Sequence, residues 1–145
     1  KVQKLVGDRI VMSEPTEGQW LTMMRDYGQR VFQSSPAPYL FQTAGWLPMR
    51  EYTELGLAGK FDEAEKIAKP MQPLREVSAK WLRANWVQRK LIPIAFIKAW
   101  CELMGMAGGP VRPGLPQITD KERQELRFDL ERTGLLARVP TAKAA

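Results

Sequence analysis

Histidine is absent from the 145 residues. The chain therefore holds no Ser-His-Asp triad, no Cys-His pair and no imidazole metal site, and any acid–base work falls to other groups. Cys101 is the single cysteine. It excludes an internal disulfide framework and fits a reducing, cytoplasmic setting. No metal or cofactor site is expected. The residues with most chemical potential are aromatic. Residues 34–48 (SSPAPYLFQTAGWLP) read as a long loop carrying Tyr39, Phe41 and Trp46, and loops of that length are commonly functional. Those rings either pack over a rim or a subunit contact, or they face a substrate.

The loop follows a strand–helix–strand unit. Arg9–Ser13 (RIVMS) is an apolar run bounded by Gly7-Asp8 and Pro15, and Val31-Phe32 is a second run between Gly28 and Ser35-Pro36. Thr16 and Gln19 match the capping-box spacing at a helix start. The helix between the runs would bury Trp20, Met23, Met24 and Tyr27 and end near Gly28. Strands joined by a helical crossover are parallel neighbours, and parallel strands need both faces covered. No later segment reads as sheet, so the unit is expected to be the end of a larger α/β domain. Lys1–Val6 reads as the last turns of a helix already under way, in keeping with a truncated, cleaved or partial polypeptide.

The rest reads as helical. Pro48 opens a helix with Met49, Tyr52, Leu55 and Leu57 on its apolar face, closed by Gly59. Asp62 is expected to cap the next run, with Ala64, Ile67, Ala68 and Met71 inside. Pro70 and Pro73 predict a break or kink. The period resumes through Leu74, Val77, Trp81, Leu82, Asn85 and Val87. Pro93 starts another helix, with Ile94, Ile97, Cys101 and Leu103-Met104 before Gly105. A Gly/Pro loop follows, and Thr119–Glu122 is a capping box ahead of Leu126, Leu130 and the stop at Gly134. The tail VPTAKAA is expected to be mobile.

Net charge is +6, with pI ≈ 9.7. The cations are scattered among acids without aromatic–basic alternation, which favours a solvated mixed-charge surface over nucleic-acid binding. No stretch approaches a membrane span and no signal peptide is visible.

Cys101–Gly105 (CELMG), Gly109–Pro113 (GPVRP), Leu115–Thr119 (LPQIT) and Gly134–Leu136 (GLL) resemble the C-terminal loop and last helix of the dihydrodipicolinate synthase / N-acetylneuraminate lyase family. Leu57–Ala64 (LAGKFDEA) is similar to its helix junction, and Gly7–Ser13 (GDRIVMS) to its seventh barrel strand. The resemblance implies the C-terminal portion of a (β/α)8 barrel. Residues 1–60 would supply strands seven and eight with their helices, and residues 61–145 an α-helical C-terminal extension.

Members are class I lyases and aldolases, in which a lysine forms a Schiff base with pyruvate or another 2-oxo acid and a tyrosine relays protons. The protonated imine is an electron sink for making or breaking a carbon–carbon bond. By the family's spacing the lysine lies upstream of Lys1, so no catalytic residue is expected in this chain. Partners implied are the N-terminal barrel half, a 2-oxo acid such as pyruvate, and further copies in a dimer or tetramer. The resemblance leaves the rim at the strand ends as the substrate side. The positions there are Ser13, Glu14 and Thr16 after strand seven, and Gln33, Ser34 and Ser35 after strand eight. Trp46 joins them as a substrate-binding candidate.

The loop Ser13–Glu17 and the long aromatic loop both depart from the family pattern, which weakens lysine biosynthesis or sialic acid cleavage as the activity. Sugar-acid dehydratases and hydratase-aldolases of aromatic 2-oxo acids stay open. Glu14 has a plainer reading as a surface carboxylate beside Arg9 or Arg30. The competing class is a helical protein-interaction module without enzymatic activity, using Trp46, Trp81, Trp86 and Trp100 as its face. Nucleic-acid binding through the Arg and Lys residues of 83–98 would rest on charge alone.

Overall fold

Two parallel strands, each two residues long, are the only sheet among the described residues. The structure, a computed structural model, describes residues 5–33 and 36–140. The result is a mostly helical α/β chain that divides into two compact units, residues 1–38 with 48–70 and residues 39–47 with 71–145. The tail beyond residue 140, read from sequence as mobile, lies outside the described residues.

In the first unit, β1 (Ser13–Glu14) pairs with β2 (Val31–Phe32) in the register Ser13↔Val31 and Glu14↔Phe32. The first strand is shorter and later than the apolar run suggests. Gly7–Arg9 forms a 3-10 turn, with Gly7 in the left-handed region at φ 56°. The Arg9 guanidinium donates back to the Val6 and Leu5 carbonyls at 3.2 Å each. Ile10 and Val11 follow that turn exposed. A ladder needs a partner as well as β-branched residues, and β2 offers one only opposite Ser13 and Glu14.

Helix α1 (Glu17–Tyr27) connects the strands. Its start carries no side-chain cap from Thr16. The predicted capping box fails because the Thr16 N–H donates to Glu14 Oε1 at 2.6 Å, leaving nothing for Gln19 to cap. Gln19 instead sends its backbone N–H to the Thr16 carbonyl. The far end matches expectation: Gly28 sits at φ 62° and returns its N–H to Met24. Trp20 and Met24 are buried, Met23 is half-buried, and Tyr27 is exposed.

Helix α2 (Pro48–Leu57) starts on its proline as expected and buries Met49 and Tyr52, while Leu57 is exposed. Gly56 lets it approach α1 closely, since a Cβ there would lie 2.7 Å from Met24 Cε. Helix α3 (Phe61–Ala68) begins one residue before Asp62, which is therefore not its cap. Asp62 and Glu63 lie in its first turn, where carboxylates suit the positive helix end.

The segment read as one loop between β2 and α2 is partly ordered by backbone bonds. Ala37–Leu40 is a single helical turn, and Thr43 and Trp46 form an isolated antiparallel bridge.

From Pro70 onward, where the first unit gives way to the second, the prolines act as expected. A 3-10 turn, Lys69–Met71, precedes α4 (Gln72–Ser78), and Pro73 fits the open first turn. The helix runs on through a π-helical turn, Ala79–Arg83, into Ala84–Val87. Leu74, Val77, Trp81, Leu82 and Asn85 are buried, as their spacing predicts, and Val87 is exposed. Buried Asn85 is satisfied locally: its Nδ2 donates to the Trp81 carbonyl at 2.6 Å and its Oδ1 accepts from Arg89 at 2.7 Å.

Helix α5 (Ile94–Leu103) follows Pro93 and supplies Phe96, Ala99 and Trp100 to the core. Trp81 and Phe96 pack with ring centroids 5.5 Å apart, and Phe41 stacks on Trp100 at 6.0 Å. Helix α6 (Asp120–Arg132) carries the complete capping box of Thr119 and Glu122 and buries Leu126 and Leu130. Gly134, at φ 75°, turns the chain so that Leu135 is also buried.

Candidate functional site

The two strand ends bring three of the sequence-derived candidates together. Ser13 and Glu14 form β1, and the Gln33 N–H donates to the Glu14 carbonyl at 3.1 Å, extending the ladder past Phe32. Ser13 and Gln33 are exposed and Glu14 is half-buried. The Glu14 carboxylate curls back onto the Thr16 N–H, so this carboxylate is held by its own loop. Ser34 and Ser35 lie outside the described residues.

One step behind this edge is a pair that sequence reasoning missed. Glu17, the first residue of α1, is 6% exposed, and the Tyr52 hydroxyl donates to its Oε1 at 2.9 Å. Nearby, the Trp20 indole N–H donates to Thr53 Oγ1 at 3.1 Å, and the Trp20 ring meets Phe32 at 5.5 Å. The strand ends are thus backed by a polar cross-link from α1 to α2 and by one aromatic contact from α1 to β2. The signal in the sequence was faint. An acid at the first helical position is ordinary, and its tyrosine lies thirty-five residues later.

Trp46, the remaining candidate, belongs to the second unit. Its backbone pairs with Thr43, and the Arg138 guanidinium lies over its ring at 4.7 Å from the centroid. Of the other loop rings, Phe41 is core and Tyr39 is half exposed. Burial pushes the Tyr39 hydroxyl above its ordinary range.

The second unit also holds a concentrated polar cluster around Glu102. One carboxylate oxygen takes the Arg123 guanidinium and the other accepts the Gly109 N–H at 2.6 Å. Lys98 Nζ donates to the Pro110 carbonyl at 2.7 Å. The Arg123 bond, then the Gly109 N–H, hold the Glu102 carboxyl below the usual carboxylate range. Beside this cluster is a cavity of about 260 Å³, lined among others by Ala95, Ala99, Val111 and Ile118. Every polar group named here is already paired, so the cluster pins the Gly/Pro loop to α5 and α6. Cys101 is half-buried, and desolvation raises its thiol, which disfavours the thiolate. Among the described residues no group of acids and cysteine could hold a metal ion. No helix among them is long and apolar enough to cross a membrane.

The fold is similar to that of a solved structure of dihydrodipicolinate synthase, with a TM-score of 0.63 and 21% sequence identity. The likeness covers 92% of this chain and 41% of that one. The fold is that of part of dihydrodipicolinate synthase. No protein-family model matches the sequence, and no curated protein matches it. At this identity the likeness concerns the fold alone. It gives a structural counterpart to the mostly helical chain and to the pair of short parallel strands among its described residues, and it spans less than half of the synthase.

Proposed function

We propose that this chain is the C-terminal part of a class I lyase, aldolase or hydro-lyase acting on pyruvate or another 2-oxo acid. The observation that carries the reading is the fold likeness to dihydrodipicolinate synthase over 92% of the chain. It is supported by a strand–helix–strand unit whose two-stranded parallel sheet has no further strand among the described residues. Two such strands do not stand alone, because a parallel sheet is stable only with both faces covered and more strands beside it.

On this reading β1 and β2 are barrel strands seven and eight. Residues 1–60 close the barrel and residues 61–145 form the helical extension. The Schiff-base lysine and the tyrosine relay are contributed from outside these residues. Ser13, Glu14, Gln33 and Ser34 belong to the substrate side of the rim, where barrel enzymes keep their chemistry. Trp46 is proposed as a selectivity residue.

The reaction begins when the lysine amine attacks the 2-oxo carbon and expels water as an imine forms. Borohydride reduces that imine to a stable secondary amine, so incubation of the complete protein with pyruvate and borohydride should add one reduced adduct. Peptide mapping should locate it on a lysine upstream of Lys1. Absence of an adduct with every 2-oxo acid tried, or an adduct on Lys1 or Lys4, sinks the reading.

A further inference from the structure

The stretch between Glu76 and Glu102 holds Lys80, Arg83, Arg89, Lys90 and Lys98 and no carboxylate. The fold compensates three of these cations. Lys80 pairs with Asp129 at 2.6 Å, Arg89 reaches Asn85 and lies 3.7 Å from Glu122, and Lys98 donates to the Pro110 carbonyl. The Arg83 and Lys90 side chains are exposed and make no hydrogen bond or ion pair among the described residues.

Between and beside them lie Trp86, Val87 and Ile92, exposed by 58%, 50% and 53%. The other tryptophans of this unit do not share that exposure. Trp81 and Trp100 are buried, and Trp46 lies under Arg138. Lys90 itself sits at φ 55°, among the described residues the one left-handed position not filled by glycine. The backbone closes around it through the Leu91 N–H to the Asn85 carbonyl at 3.0 Å. Glycine would hold this corner without steric cost, so the lysine adds strain and an unpaired ammonium at the same point.

We propose that the corner formed by residues 83–92 docks an acidic protein segment that carries an aromatic or aliphatic anchor. Trp86, Val87 and Ile92 supply the apolar centre, and Arg83 and Lys90 supply the complementary rim. Aromatic centres framed by cations are the usual composition of protein-binding hot spots. Nucleic acid is disfavoured because two free cations neutralise few phosphates. An anionic membrane calls for a larger cationic cluster. A second copy of the same patch would set Arg83 and Lys90 against their own like charges, with no carboxylate in the stretch to answer them. If the remainder of the barrel in the proposed lyase covers this corner instead, no peptide is enriched on the complete protein.

The test is selection of a displayed random dodecapeptide library on the complete protein, followed by fluorescence anisotropy of the enriched peptides. Enriched peptides should be acidic with at least one aromatic or aliphatic anchor. Trp86→Ala and Arg83→Glu/Lys90→Glu should each weaken their binding about tenfold or more, readily resolved in Kd. Lys90→Gly is the decisive variant. It relieves the left-handed strain, so its Tm should equal or exceed that of the parent while its peptide affinity falls. No enrichment, enrichment without acidic bias, or unchanged affinity in Lys90→Gly overturns the proposal. So does tighter binding of the same corner to a single-stranded oligonucleotide or to phosphatidylserine vesicles, or Trp86-dependent self-association in sedimentation.

Discussion

Two helices of this protein begin with the same local pattern, a threonine followed three residues later by Gln19 or Glu122, yet only one forms the capping box. At α6 the Thr119 hydroxyl accepts the Glu122 N–H at 3.2 Å, and the Glu122 carboxylate takes the Thr119 N–H at 2.9 Å. At α1 the corresponding N–H of Thr16 is already occupied by Glu14, two residues upstream. The difference runs through both units. In the second, a local box closes the start of α6, while Glu102 holds the Gly/Pro loop through the Gly109 N–H and is itself paired with Arg123 of α6. In the first, the strand ends are secured from a distance by Glu17 with Tyr52 and by Trp20 with Phe32 and Thr53. A motif is therefore satisfied only when no neighbour claims its donors first.

The strongest way to break this comparison is at two close-packed glycines. A Cβ at Gly108 would lie 2.5 Å from the Lys98 carbonyl oxygen, a backbone atom, and 2.6 Å from Glu102 Cγ. Gly108→Ala should cost about 2–3 kcal/mol of overpacking, measured by urea denaturation of the complete protein. Gly56→Ala meets side-chain ends alone, the tip of Met24 and Leu21 Cδ1 at 3.3 Å, and should cost about 1 kcal/mol. Equal effects would show that the Gly/Pro loop yields as readily as a methionine tip.

Next in size is Tyr52→Phe, which takes the hydroxyl donor from a buried carboxylate and should lower stability by about 1–2 kcal/mol. The same variant should leave the acid limb of the second unit unchanged. If stability does not fall, the strand ends are not held by this cross-link.

Smaller still are the two threonines. Thr119→Ala removes a working cap and should cost about 1 kcal/mol. Thr16→Ala removes no cap bond and should stay within about 0.5 kcal/mol of the parent. Similar costs at both sites would mean that Thr16 caps α1 in solution after all.

The smallest effect is on pH dependence. Arg123 and Gly109 lower Glu102. The Thr119 N–H outweighs desolvation to lower Glu122. Burial raises Asp129, but the bonds from Lys80 and Trp81 bring it below its ordinary value. Their folded values lie below unfolded ones of about 3.9–4.3, so the unfolded chain binds more protons in acid. Their contribution is complete above that range and is lost as pH falls through the folded values. Glu102→Gln should therefore lower the urea midpoint most near neutrality and converge on the parent in acid, which flattens the acid limb. An unchanged acid limb would show that the Arg123 pairing is fully screened.

What the sequence by itself determined is what can be settled within a few residues. Pro48 and Pro93 mark helix starts, and the Thr119–Glu122 box was legible as written. Gly28, Gly59 and Gly134 mark left-handed stops, at φ 62°, 78° and 75°. The buried spacing from Leu74 to Asn85 and the crossover between two parallel strands could also be read locally. Each depends on backbone sterics, a cap, or a 3.6-residue period.

Tertiary structure decided the rest. It set the length of β1, because a strand extends only as far as its partner. It paired Glu17 with Tyr52, and it tied the Gly/Pro loop to Glu102 and Lys98 of α5, with Arg123 of α6 on Glu102. It also sorted chemically identical tryptophans, burying Trp81 and Trp100 while leaving Trp86 exposed. Burial and polar satisfaction are properties of packed surfaces, and neighbours distant in sequence fix them only once the chain has folded.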